Sequence, residues 1–155
     1  MDVRVNERNP AVRVPPVTAL AVFALMAGLC AMTVFAFLGA FTSNNQPQVP
    51  VLVAGAAVIA GVLGMLIVPR VLYTNAFTAM FIGALVALLS HIPFSILWGL
   101  TGAMFDPPFA FSDFAQVVVL VLAYGYILTG IAQIILGALA GYICYRKGVP
   151  FEEQS

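Results

Sequence analysis

Long apolar intervals broken at only a few points dominate the chain. Residues 14–69, 71–105 and 114–145 contain no Asp, Glu, Lys or Arg. A helix needs about 20 predominantly apolar residues to cross a hydrocarbon core of roughly 30 Å. The first interval, 56 residues long, therefore has room for two crossings and the others for one each. The first interval also carries its own break, because Thr-Ser-Asn-Asn-Gln-Pro-Gln-Val-Pro at 42–50 combines turn formers with two prolines. Such a segment belongs neither in a helix nor in lipid. The pattern predicts helices at about 17–41, 51–68, 76–103 and 114–145. The fold class is an all-α integral membrane protein, a four-transmembrane-helix bundle forming one domain over 1–155, with short tails at 1–16 and 147–155.

Local chemistry supports these boundaries. Pro15 and Pro16 open the first helix, Pro50 opens the second and Pro69 closes it, each where a missing amide hydrogen costs least. Asn75 is placed to cap the third helix. Ser112 or Asp113 is placed to cap the fourth, with Gln116 completing a capping box after Asp113. At 1.5 Å per residue the second helix, about 27 Å, barely spans, and the fourth, about 48 Å, must tilt or project.

Composition agrees with this reading. Of 155 residues 63% are hydrophobic and 8% charged, against roughly a quarter charged in a soluble domain. A soluble globule, a disordered chain, a collagen-like repeat, a coiled coil and a disulfide-stapled scaffold are excluded together. Six basic and six acidic residues balance, so nucleic acid is excluded as a partner for want of an electrostatic footprint. The lipid bilayer is the expected partner.

The placement of charge says more than its sum. With four crossings the N-terminus, the 69–75 loop and the C-terminus share one side, and Arg4, Arg8, Arg13, Arg70, Arg146 and Lys147 all fall there. The opposite loops carry only Asp106 and Asp113. Because cytoplasmic loops hold the excess Lys and Arg, both termini are expected inside, and a dual topology is disfavoured. Tyr73, Tyr142 and Tyr145 are expected at the inner interface and Trp98 at the outer one. The first helix is expected to remain uncleaved, since its apolar run is longer than a secretory signal's. Five Arg to one Lys points to a prokaryotic source, hence to a multi-pass protein of a plasma membrane.

Candidate chemistry is sparse. His91, in Ser90-His91-Ile92-Pro93-Phe94-Ser95, is the one intramembrane titratable group of functional interest. Counting from Tyr73 to Trp98 puts it about 8 Å into the outer half of the membrane. Pro93 frees the carbonyl of Leu89, which with Ser90, His91 and Ser95 forms a polar notch. On the antiparallel fourth helix, residue 130 lies at the depth of His91, flanked by Thr129 and Gln133. His91 is therefore expected to bond one of these two as a neutral imidazole. That structural role is preferred to an ion, proton or cofactor role.

A bis-histidine haem lacks its second histidine, and no span offers Asp or Glu to a metal. Phosphate loops, nucleophile elbows and paired carboxylates are absent. No catalytic, metal or cofactor site is expected, and the protein is read as not an enzyme. Cys30 and Cys144 lie at different depths and read as small buried hydrophobes rather than a disulfide.

The clearest packing signal is a stripe on the fourth helix, Gly125, Thr129, Gln133, Gly137 and Gly141, ending in Gly-Ala-Leu-Ala-Gly. Facing surfaces are offered by Ala57, Gly61 and Gly64 on the second helix and by Gly83 and Ala87 on the third. Contact within the bundle is one use of the stripe, and contact with another subunit or a second copy is the other. Two function classes follow. The first is a non-catalytic accessory, assembly or scaffold subunit of a membrane complex. The second is a small oligomeric transporter or channel with the His91 notch on its path.

Overall fold

A computed structural model of the chain describes residues 11–39, 49–105 and 111–150. Four helices carry the fold: α1 (Pro16–Gly39), α2 (Val49–Ile67), α3 (Ala76–Phe105) and α4 (Phe111–Lys147). Each is long and apolar enough to cross a membrane. The break expected at 42–50 lies mostly outside the described residues; its last two, Val49 and Pro50, form the first turn of α2.

Pro16 is the first residue of α1, and the Ala19 amide donates to Pro15 O at 3.1 Å. Pro69 sits in a 3-10 turn over Val68–Arg70 that ends α2, and Val71 then turns extended. Asn75 caps α3, its Oδ1 accepting from the Thr78 amide at 2.8 Å and the Thr78 hydroxyl at 3.0 Å. One cap differs from expectation. The helix already includes Phe111, so Ser112 and Asp113 lie inside the first turn of α4 instead of before it. There Asp113 complements the positive end of the helix dipole, as Arg146 and Lys147 complement the negative end.

Sequence reading missed a small clasp at one end of the bundle, where the segments flanking α1 and α4 meet. Strand β1 (Val12–Arg13) pairs antiparallel with β2 (Val149–Pro150), in segments expected as plain tails. Val12 also exchanges backbone hydrogen bonds with Tyr73, N to O at 2.9 Å and back at 3.0 Å. Tyr73, expected at the membrane interface, is 1% exposed and donates its hydroxyl to Val68 O at 2.9 Å. It joins Val14, Val68 and Cys144 in the core beneath the clasp. Burial pushes the Tyr73 hydroxyl well above its ordinary pKa, and nearby Cys144 adds in the same direction.

The helices pack as two close hairpins, α1 with α2 and α3 with α4, and glycine sets both distances. Between α3 and α4, a Cβ on Gly137 would lie 2.6 Å from Gly83 O and 2.6 Å from Ala87 Cβ. One on Gly141 would run into Ala79 O. The stripe's lower half is thus used inside the chain, against Gly83 and Ala87 as expected. Gly61 and Gly64 instead meet α1, where a Cβ would lie 3.1 Å from Leu20 O and 2.7 Å from the Phe23 ring. Their position one hairpin away from α4 corrects the expectation that they would face the stripe.

Candidate functional site

The site begins with a glycine. Gly125 presents no side chain toward α3, and a Cβ there would overlap the His91 imidazole. The ring fits into that space, 7% exposed, with Tyr126 beside it at a centroid distance of 4.8 Å. Tyr126 in turn donates its hydroxyl to Leu88 O at 2.8 Å, fastening α4 to α3 one turn from the imidazole.

His91 joins a chain of hydrogen bonds across the hairpin. Its Nε2 faces Val121 O at 3.3 Å and its Nδ1 faces Gln133 Nε2 at 3.1 Å. A carbonyl can only accept and an amide nitrogen can only donate. The proton therefore sits on Nε2, Nδ1 accepts, and the imidazole is neutral. Gln133 Nε2 also donates to Thr129 Oγ1 at 2.7 Å, and the Thr129 hydroxyl passes to Gly125 O at 2.7 Å. Every donor in the chain is used. Gln133 Oε1 is left buried without a partner, at a cost of about 1–3 kcal/mol.

The residues singled out in the sequence divide into two groups. His91, Thr129 and Gln133 come together at the depth the helix count assigns them. Ser90 and Ser95 do not join their network. Ser90 Oγ donates to Val86 O at 2.7 Å and Ser95 Oγ to His91 O at 2.8 Å, each one turn back on its own helix. α3 runs unbroken through Pro93.

This cluster forms part of the wall of a cavity of about 360 Å³ to which all four helices contribute. Its lining is almost wholly apolar, with Phe23, Ala27, Cys30 and Ala31 from α1, Ala56 and Ala60 from α2, and Ala87 from α3. At the end remote from the clasp, Trp98 stacks on Phe35 of α1 at 5.4 Å and meets Phe94 edge-on at 5.9 Å. Trp98, expected at the outer interface, is thus a wall residue.

The cavity opens along one edge of α4. Leu120, Tyr124 and Leu128 line it, one turn apart, yet are 44%, 59% and 74% exposed. They are its lip, at the seam between α1 and α4. Sequence reasoning missed Gly125 as the socket for His91, along with the Phe35–Trp98 pair. The first was legible, since Gly125 lies four residues before Thr129 and eight before Gln133 on one helix face. The second joins residues 63 positions apart with no periodic signal.

Among the described residues no three His, Cys, Asp or Glu side chains converge in a way that could hold a metal ion, and both cysteines are free thiols. Comparison with protein-family models, with curated proteins and with solved structures finds no match to this chain.

Proposed function

We propose that this is a non-catalytic accessory protein of a prokaryotic plasma membrane, with both termini cytoplasmic, that holds a lipid-phase molecule in the cavity between α1 and α4. The cavity carries this reading. Its volume of about 360 Å³ falls in the range of small-molecule sites, which are mostly apolar with a few fixed polar groups. Its lip of Leu120, Tyr124 and Leu128 lies on a surface that four spanning helices would turn toward hydrocarbon.

Holding is favoured over conduction. Apart from Tyr124 at the lip, Trp98 at the remote end and the Cys30 thiol, the polar side chains of the wall are Ser90, His91, Thr129 and Gln133, one patch whose donors are all engaged. No file of polar groups leads from this patch to either end among the described residues. The glycine stripe lends no support to an oligomer, because α3 already covers its lower half.

Native mass spectrometry after gentle extraction tests the proposal, comparing the wild type with Ala31→Phe, which fills the wall. The wild type should retain a stoichiometric lipophilic adduct that the variant loses while keeping its thermal midpoint. An adduct-free wild type, or the same adduct on both, would overturn the reading. Orientation is tested with single cysteines at positions 45, 109, 5 and 152. The first two should react with an impermeant maleimide on intact cells and the last two only after permeabilisation; labelling at position 5 from outside refutes the topology.

A further inference from the structure

We infer that the occupant is one linear hydrocarbon chain, admitted sideways between α1 and α4; the inference rests on the cavity being a lipid-phase binding site. Three observations converge on it.

The first is shape. On α1 the wall runs from Phe23 to Phe35, which at 1.5 Å per residue is about 18 Å along the helix. Spread over that length, the volume of about 360 Å³ makes the cleft an elongated one, longer along the helices than across them. A single extended polymethylene chain has that elongated form and can follow such a cleft over its whole length. Half of a hydrocarbon core is about 15 Å, so the cleft is also about as long as one leaflet's chain.

The second is chemistry. Every donor of the His91, Gln133 and Thr129 cluster already has a protein acceptor, and the one unpartnered atom, Gln133 Oε1, is buried out of reach. A molecule lying against this cluster meets polar groups that are already satisfied. A polar group along its length would lose its hydration and gain nothing, whereas methylenes lose nothing.

The third is access. The lip residues are exposed while still facing the cavity, and both ends of the cleft are filled. The Phe35–Trp98 stack stands at one end, and Phe23 with Ala140, both in the buried core, at the other. The open route runs along the length of the seam, which admits a chain lying parallel to the helices.

Trp98 lines the cavity and is the only tryptophan in the chain, so its fluorescence reports occupancy. Protein in vesicles of unbrominated phosphatidylcholine would be titrated with three brominated probes: a dibrominated free fatty acid, a phospholipid with one dibrominated chain, and a brominated sterol. Saturable quenching by a chain probe is expected, with a half-maximal mole fraction at least about tenfold lower than in Ala31→Phe. Ala27→Leu serves as a second filler should Ala31→Phe fail to fold. Saturation by the fatty acid alone assigns the chain to a free single-chain amphiphile, and saturation by the phospholipid assigns it to the bilayer itself; both support a single chain. Saturation by the sterol alone overturns the chain while leaving the cavity as a binding site. Quenching linear in mole fraction for all probes, and equal in the filled variants, overturns both.

Discussion

The contact between α3 and α4 is tight enough that one methyl group should test it. A Cβ on Gly137 would lie 2.6 Å from Ala87 Cβ, against 3.4–4 Å for ordinary contact, so α3 must withdraw by about 0.8 Å. A Cβ on Gly141 would meet the Ala79 carbonyl oxygen and lie 2.9 Å from its carbon; these are backbone atoms, which cannot rotate away. Overpacking of this kind costs about 1–3 kcal/mol, and helix propensity returns about 1 kcal/mol for Gly→Ala. Gly137→Ala and Gly141→Ala should each lose about 1–2 kcal/mol on balance. Since one separation of the helices relieves both clashes, the double variant should lose less than the sum. Gly130, on the same helix, has nothing within 4 Å of its Cβ position, so Gly130→Ala should be neutral or up to about 1 kcal/mol more stable. Reversible unfolding in mixed micelles measures all four variants on one scale. Gly141→Ala at or above the wild-type midpoint, or below it by no more than Gly130→Ala, would refute backbone contact between α3 and α4.

His91→Leu removes the acceptor of Gln133 and should lose about 1–2 kcal/mol, often less in membrane helices, while His91→Gln, able to accept and donate, should recover most of it. If both variants keep wild-type stability and both lose the bound lipophile, His91 acts on the ligand rather than on the bundle. Tyr73→Phe deletes the bond to Val68 O and should cost about 0.5–1.5 kcal/mol. Because burial raises the folded-state pKa of Tyr73, the unfolded hydroxyl ionises first as pH climbs past about 10. Its stabilisation is fully present below that pH and declines above it, by up to about 1.4 kcal/mol per pH unit. Unfolding midpoints from pH 8 to 11 should show that decline in the wild type and a shallower one in Tyr73→Phe; equal slopes would assign it to another group.

How much of this was legible in the sequence varies with the physics involved. Helix number and ends follow from charge-free lengths and prolines, which act locally, and the Asn75 cap is likewise a three-residue affair. The level of His91 against Thr129 and Gln133 was also readable, because antiparallel helices of fixed rise convert residue counts into depth. Rotation about each helix axis was not. Ser90 and Ser95 share the His91 segment, but their hydroxyls fold back to Val86 O and His91 O, the usual alternative for a hydroxyl in a helix. Gly61 and Gly64 form as good a small-residue pair as Gly137 and Gly141, and nothing in their spacing tells which neighbour they approach. The clasp was invisible because two residues per strand make no pattern.

The position of the cavity follows from where the small residues are. In the α1–α2 hairpin Gly61 and Gly64 let the backbones close on Leu20 O and the Phe23 ring. In the α3–α4 hairpin Gly83, Gly137 and Gly141 do the same, and farther along Gly99 admits Phe114 and Gly125 admits His91. Gly55 seats Leu97 between the hairpins. None of the glycines of α1 or α4 meets a neighbour across the α1–α4 seam, whose facing positions are Met26, Cys30 and Val34 on one side and Tyr124 and Leu128 on the other. Side chains of that size hold two helices apart, and close approach without glycine is not available to them. The seam is joined at one end, by the clasp, where Gly148 lets Val149 and Pro150 reach Val12 and Arg13, and by the buried core that holds Phe23 and Ala140. The glycines that close three interfaces are missing from the fourth between these positions, and the opening there lies beside the satisfied polar face of His91 and Gln133. Substituting glycine for Cys30 or Val34 should therefore narrow the cleft and weaken chain binding by letting α4 approach α1, whereas Gly28→Ala, which faces Ala57 of α2 at 3.5 Å, should leave binding unchanged. Tighter binding in Cys30→Gly and Val34→Gly would show that the width is set elsewhere.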